Sequence, residues 1–192
     1  MSADANRNLT WKLNWFRQSE LEGALLLGRM VGTVGDRTLA ARLTKHCAEE
    51  AEHSRLWSEV IAELGLPHVR IFRSYQSLYL RHGGAPSTLL DVLAFTQIFE
   101  RRVHQRFHEE QRRADLPQAV RRTFARMIED EKDHLAWVAA WLRTAPGATD
   151  ALHRYEQIDR AVLAELQPFE QCLWEIPGLG RESTPTEIAT TV

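Results

Sequence analysis

The chain has 192 residues, 44% of them hydrophobic and 26% charged, with a formal net charge of −2. That length and apolar content fit one globular domain with a real core. The near-zero charge excludes a general electrostatic pull toward nucleic acid or anionic lipid. Two cysteines, Cys47 and Cys172, are too few for a disulfide scaffold or a cysteine-built zinc site. The longest uninterrupted apolar run, Leu135 to Leu142, is far short of the ~20 residues a membrane span needs. Met1 to Asn8 lack the cationic-then-apolar plan of a signal peptide, so a soluble cytoplasmic chain with no membrane role is expected.

Helical periodicity dominates the whole chain. The spacing predicts a first helix from about Leu9 to Val31, ended by Gly32-Thr33-Val34-Gly35-Asp36. Asp36 caps a second helix that runs to about Leu64 and stops at Gly65-Leu66-Pro67. His68 to Ala85 shows no clean period and reads as a crossover. Ser87 is the expected cap of a third helix reaching about Arg113, and Pro117 opens a fourth that ends near Arg143. A fifth helix is expected from Asp150 to about Leu173. The reading is all-α: two helical hairpins joined by a crossover, forming a four-helix bundle with a C-terminal helix over residues 1–175. Residues 176–192, rich in Gly, Pro, Thr and Ser, read as a disordered tail.

The inward stripes step by three or four residues. They read Leu13, Phe16, Glu20, Ala24, Leu27, Val31; then Leu39, Leu43, Cys47 or Glu50, His53, Trp57, Ile61. The later helices give Leu93, Gln97, Glu100, His104, Phe107, then Phe124, Met127, Glu131, His134, Val138, Trp141. Each apolar stripe is interrupted near its middle by an acid. A buried carboxylate is costly unless it is paired or bound to a cation, and no Lys or Arg falls on these stripes.

Helical rise places the four acids at one level. Glu20 and Glu50 each lie 15 residues from Gly35, while Glu100 and Glu131 each lie 15.5 from the midpoint of Asp115 and Leu116. At 1.5 Å per residue each is ~22 to 23 Å from its hairpin end. Glu22 falls ~3 Å off that level and about 200° around the helix from Glu20, so Glu20 is the inward acid.

Glu-x-x-His occurs twice, at Glu50–His53 and Glu131–His134. Both copies read acid-Glu-x-acid-His: Glu49-Glu50-Ala51-Glu52-His53 and Asp130-Glu131-Lys132-Asp133-His134. One Glu from each of two helices plus Glu-x-x-His from each of the other two is the constellation of a di-iron or di-manganese carboxylate centre. Two divalent cations ~3.5 to 4 Å apart carry four positive charges, which four carboxylates neutralise. The expected ligands are Glu20, Glu50, His53, Glu100, Glu131 and His134, with Glu50 and Glu131 as bridges. A metal-bound imidazole needs an acceptor for its other nitrogen. Glu49 and Asp130 are the candidates, each reaching across to the opposite hairpin's histidine. His104, one turn after Glu100, reads as a further supporting side chain; His46 and His108 carry no signal.

These residues resemble the ferritin-like superfamily of di-metal carboxylate proteins over roughly residues 10–142. Glu49-Glu50-Ala51-Glu52-His53 is similar to the ferritin ligand segment Glu-Glu-x-x-His. Asp91, Glu100, Arg102, Arg106 and Phe107, with Ser19-Glu20-Leu21, look most like the tRNA isopentenyladenosine hydroxylase branch. The resemblance implies two iron ions, with Mn/Fe or Mn/Mn pairs open by ligand type, and an oxidase or monooxygenase that uses O2. It further implies a small-molecule or modified-nucleoside substrate and an external electron donor, with a homodimer as an assembly open to it. The alternative is a ferroxidase, iron-storage or peroxide-detoxifying protein. The arginines between Arg101 and Arg126 read as a solvated face, and Trp57, Trp137 and Trp141 as core.

Overall fold

The computed structural model describes residues 3–182. Four long helices dominate: α1 (Ala3–Val31), α2 (Arg37–Glu63), α4 (Leu89–Gln111) and α5 (Gln118–Leu142), with a short α3 (Tyr75–Gly83) between the pairs and α6 (Ala148–Leu166) after them. Asp36 accepts a hydrogen bond from the Leu39 amide at 2.8 Å and so starts α2 as expected. The cap of α4 is Thr88 rather than Ser87: its hydroxyl accepts from the Asp91 amide at 3.1 Å. Gly147, at φ 79°, turns the chain into α6 in a conformation that favours glycine. α6 stops at Leu166, short of the expected Leu173, because Pro168 has no N–H to continue the helical hydrogen-bond ladder. The chain continues in two short 3-10 turns, Gln167–Phe169 and Leu173–Glu175.

The short connections make α1/α2 and α4/α5 two antiparallel hairpins. They pack with α2 against α5 and α1 against α4, while α6 lies along α4. The core is not continuous. One apolar cluster contains Leu13, Trp57, Phe107 and Phe124; a second contains Leu27, Leu43, Leu93 and Val138. On every long helix the dividing residue is the acid, with its apolar partners seven residues to either side: Leu13–Glu20–Leu27, Leu43–Glu50–Trp57, Leu93–Glu100–Phe107 and Phe124–Glu131–Val138. Seven residues are two turns, ~10.5 Å, and return nearly to the same face. The fold is therefore a polar layer held between two apolar ones.

The crossover and the C-terminus close over the amino-terminal half of α1. β1 (Val69–Ile71) pairs antiparallel with β2 (Gly180–Glu182), Val69 opposite Glu182 and Ile71 opposite Gly180. This corrects the expectation of a disordered segment from residue 176: Ile176 and Leu179 are buried, and the strand completes a sheet. Composition misled here because the apolar residues that anchor the segment are few and widely spaced. Asn14 ties the crossover to α1, donating to the Pro67 carbonyl at 3.3 Å and accepting from the Val69 amide at 3.0 Å. Asn8 does the same for the C-terminal segment through Glu170 and Leu173. Residues Asn8 to Trp15 are consequently all buried. The rest of the expected tail, 183–192, lies outside the described residues. No described helix is long and apolar enough to cross a membrane.

Candidate metal centre

The middle layer brings together all six residues expected as ligands. Glu20, Glu50, His53, Glu100, Glu131 and His134 are each at most 5% exposed. Their donor atoms converge in two groups: Glu20, Glu50, His53 and Glu131 form one; His46, Glu50, Glu100 and His134 form the other. Glu50 belongs to both. Its Oε1 lies 3.3 Å from His134 Nδ1 and 3.6 Å from both His53 Nδ1 and His46 Nε2. Glu131 spans the two histidines, with Oε1 3.7 Å from His53 Nδ1 and Oε2 3.5 Å from His134 Nδ1.

The outward nitrogens of the two motif histidines are braced across the hairpins. His53 Nε2 lies 3.3 Å from Asp130 Oδ2, and His134 Nε2 lies 3.1 Å from Glu49 Oε2. Each brace comes from the residue preceding the other motif's Glu, which fixes both rings with Nδ1 facing inward. The inner atoms are left without hydrogen bonds. Glu50 Oε1, His53 Nδ1, Glu100 Oε2, Glu131 Oε2 and His134 Nδ1 are buried and have no hydrogen-bond partner. Leaving a buried polar atom unsatisfied costs ~1 to 3 kcal/mol, so several converging on one point mark a place for a ligand.

The electrostatics carry the same message. Burial, then the charges of Glu50 and Glu131, raise the Glu20 carboxyl well above the usual carboxylate range. Burial and the charges of Glu50 and Glu100 push Glu131 up to about 8, against the opposing pull of His134. Burial would also raise Glu50, but the close approach of the His134 and His46 imidazoles holds it well below the usual range. Burial disfavours charge on the imidazoles, yet the surrounding carboxylates raise His46 to about 9 and His134 to about 12. Protons thus stand in the layer where cations would neutralise the same charge. The donor set, carboxylate oxygen with imidazole nitrogen, suits divalent first-row metals.

Sequence reading missed His46. It is 1% exposed, its Nε2 lies 2.7 Å from Glu100 Oε1, and its ring stacks on His134 with centroids 3.6 Å apart. The available signal was spacing: His46, Glu50 and His53 stand at i, i+4 and i+7 on one helical face. His104, expected as a supporting side chain, belongs to neither donor group and packs edge-on against His108 at 4.6 Å. Four residues carry it about 40° past Glu100 around α4, and the inward position beyond Glu100 is filled by Phe107.

Cavities reach the layer from more than one side. A cavity of about 80 Å³ is walled mainly by Trp15, Phe16, Phe99, Phe107 and Leu166 and includes Glu20 in its lining. A polar crevice of about 310 Å³ between α2 and α5 is lined by His46, His134, Glu49, Lys45 and Asp133. Most of the expected arginine face is engaged within the chain: Arg101 with Glu156, Arg102 with Asp159, Arg106 with Glu110 and Glu170, Arg122 with Glu63, and Arg126 with Asp130. No protein-family model, curated protein or solved structure matches this chain.

Proposed function

We propose that this chain is a ferritin-like di-metal carboxylate protein, closest in pattern to the tRNA isopentenyladenosine hydroxylases, acting as a non-haem di-iron oxidase or monooxygenase. The observation that carries the reading is the layer itself: four buried carboxylates, of which Glu50, Glu100 and Glu131 each have an oxygen without a hydrogen-bond partner, and two imidazoles braced so that Nδ1 faces them. Glu20, Glu50, His53, Glu100, Glu131 and His134 would hold the ions, Glu50 and Glu131 lying where both can be reached. Two iron ions bound there would supply dioxygen activation and redox chemistry. The chain's own residues supply the rest. Asp130 and Glu49 orient the imidazoles, and the apolar clusters on either side keep bulk water from the layer.

The cavity beside Glu20 favours oxidation of an organic substrate, since aromatic and aliphatic walls suit a carbon skeleton better than hydrated iron. A small molecule or the base of a modified nucleoside is the substrate class proposed, the latter requiring the cavity of about 80 Å³ to open, with electrons from an external donor. The alternative reading is a ferroxidase, iron-storage or peroxide-detoxifying protein. The polar crevice beside His46 and His134 would be its route to the layer, but Lys45 is paired with both Glu49 and Asp133 there and Arg42 joins the lining, which disfavours passage of a cation.

The deciding experiment is metal analysis followed by anaerobic Fe(II) loading and a dioxygen pulse, watched by absorbance and Mössbauer spectroscopy. About two irons per chain with rapid oxygen consumption is the expected result. Iron loading far beyond two per chain would move the assignment to storage. Absence of metal binding, with Glu50→Ala neutral for stability, would overturn the site.

A further inference from the structure

We propose that His46 is a metal ligand in its own right, so that the centre has three imidazoles and two unequal metal positions. The inference rests on the di-metal reading above and extends it. His46 Nε2 lies 2.7 Å from Glu100 Oε1 and 3.6 Å from Glu50 Oε1, while His134 Nδ1 lies 3.3 Å from that same Glu50 oxygen. An ion held at about 2.0 to 2.2 Å by nitrogen and oxygen sets neighbouring donors about 3 to 3.6 Å apart, which the two distances to Glu50 meet and the 2.7 Å approach of Glu100 would meet by opening a few tenths of an ångström on metal binding. The donor atoms of His46, Glu50, Glu100 and His134 all lie within 4.8 Å of one another, so a single ion can be reached by all four.

A purely structural role leaves the ring unexplained. Neither His46 nitrogen makes a hydrogen bond of good geometry, although both are buried. Apart from the short approach of Nε2 to Glu100, the ring is held through its face and edge: stacking on His134 and an edge-on contact with Trp137 at 5.7 Å. It also lies at the inner wall of the polar crevice, beside His134.

The consequence is asymmetry. The position built by His46, Glu50, Glu100 and His134 offers two nitrogens, whereas the one built by Glu20, Glu50, His53 and Glu131 offers one nitrogen among three carboxylates. Imidazole favours Fe, Co and Zn, and carboxylate-rich sites suit Mn and Mg. The nitrogen-rich position therefore loads first with Fe(II) or Co(II), and the carboxylate-rich position second and with less discrimination.

The test is an anaerobic Co(II) titration of the full chain, read by visible absorption and by X-ray absorption counting of imidazoles. The wild type should bind two Co(II) in two resolved steps, with three imidazoles shared between two ions. His46→Ala should weaken the first step by about 100-fold or more, beyond the usual effect of losing an outer hydrogen-bonding neighbour, and reduce the count to two imidazoles. His46→Gln keeps a polar contact with Glu100 without an imidazole. If it restores wild-type binding, His46 only positions Glu100 and the proposal fails. Two equal steps with two imidazoles in the wild type would also overturn it while leaving the di-metal reading intact. No Co(II) binding by the folded wild type would remove both.

Discussion

At the scale of single residues, the centre depends on groups that bind nothing themselves. Gly23 stands one turn after Glu20 on α1, and a Cβ there would come within 2.9 Å of Glu50 Oε2. The carboxylate is the flexible end of a side chain, so it can swing away at small steric cost. Swinging away takes it out of both donor groups. Alanine is also the better helix former, by about 1 kcal/mol. Gly23→Ala should therefore leave thermal stability equal or higher while lowering metal affinity, a split that calorimetric metal titration beside thermal melts would reveal. A variant that keeps wild-type affinity would show that Glu50 is not held where the structure places it. Gly23 was invisible as a site residue in the sequence, because a missing side chain has meaning only once its neighbour across α2 is known.

At the scale of elements, the long helices were legible and the short pieces were not. A 23- to 29-residue helix repeats its apolar stripe six or more times, so α1, α2, α4 and α5 could be placed to within a few residues, except that α1 begins at Ala3, six residues before the expected Leu9, in a polar stretch that carries no stripe. β1 and β2 have three residues each and no period to read. Their pairing depends on a partner more than 100 positions away, which local pattern does not encode. The C-terminal strand has an anchoring role that can be measured. Leu179 is fully buried, its carbonyl accepts from the Phe72 amide at 2.8 Å, and it belongs to the same cluster as Trp15 and Tyr79. Leu179→Ala should destabilise by about 2 to 5 kcal/mol in chemical denaturation. A change below half a kcal/mol would mean that the closing segment is not part of the cooperative unit.

At the scale of the whole molecule, buried charge outside the Glu/His layer ties the hairpins together. Lys12 on α1 and Glu110 on α4 form an ion pair at 2.6 Å with both side chains less than a tenth exposed, and Arg106 and Arg113 flank Glu110 at 3.3 Å. Burial pushes Glu110 up, but Lys12 and these arginines outweigh it and hold the carboxyl below its ordinary range. A carboxyl that ionises more readily folded than unfolded stabilises the fold above its unfolded pKa, and that contribution is lost as pH falls through the folded value. Glu110→Gln leaves Lys12 buried among cations and should cost about 3 to 5 kcal/mol near neutral pH. The gap between wild type and variant should close as the pH is lowered through the carboxylate range, as followed by denaturation at several pH values. A gap that is constant with pH would assign the loss to packing rather than charge.

The sequence by itself determined the all-α class, the four long helices and the common level of Glu20, Glu50, Glu100 and Glu131. The physical reason is that helical rise and turn are fixed constants, so spacing along the chain converts directly into height and face. It also gave the pairing of Glu49 and Asp130 with the opposite histidines as an expectation, since each precedes a motif Glu by one residue. Tertiary structure decided what spacing leaves open: that His46 turns inward onto Glu100, that His104 packs on His108, that a cavity opens beside Glu20, and that residues 176–182 close over α1. Each of these depends on contacts between segments distant in sequence, and the packing of one helix against another is set by side-chain shapes on both, which no single stripe contains.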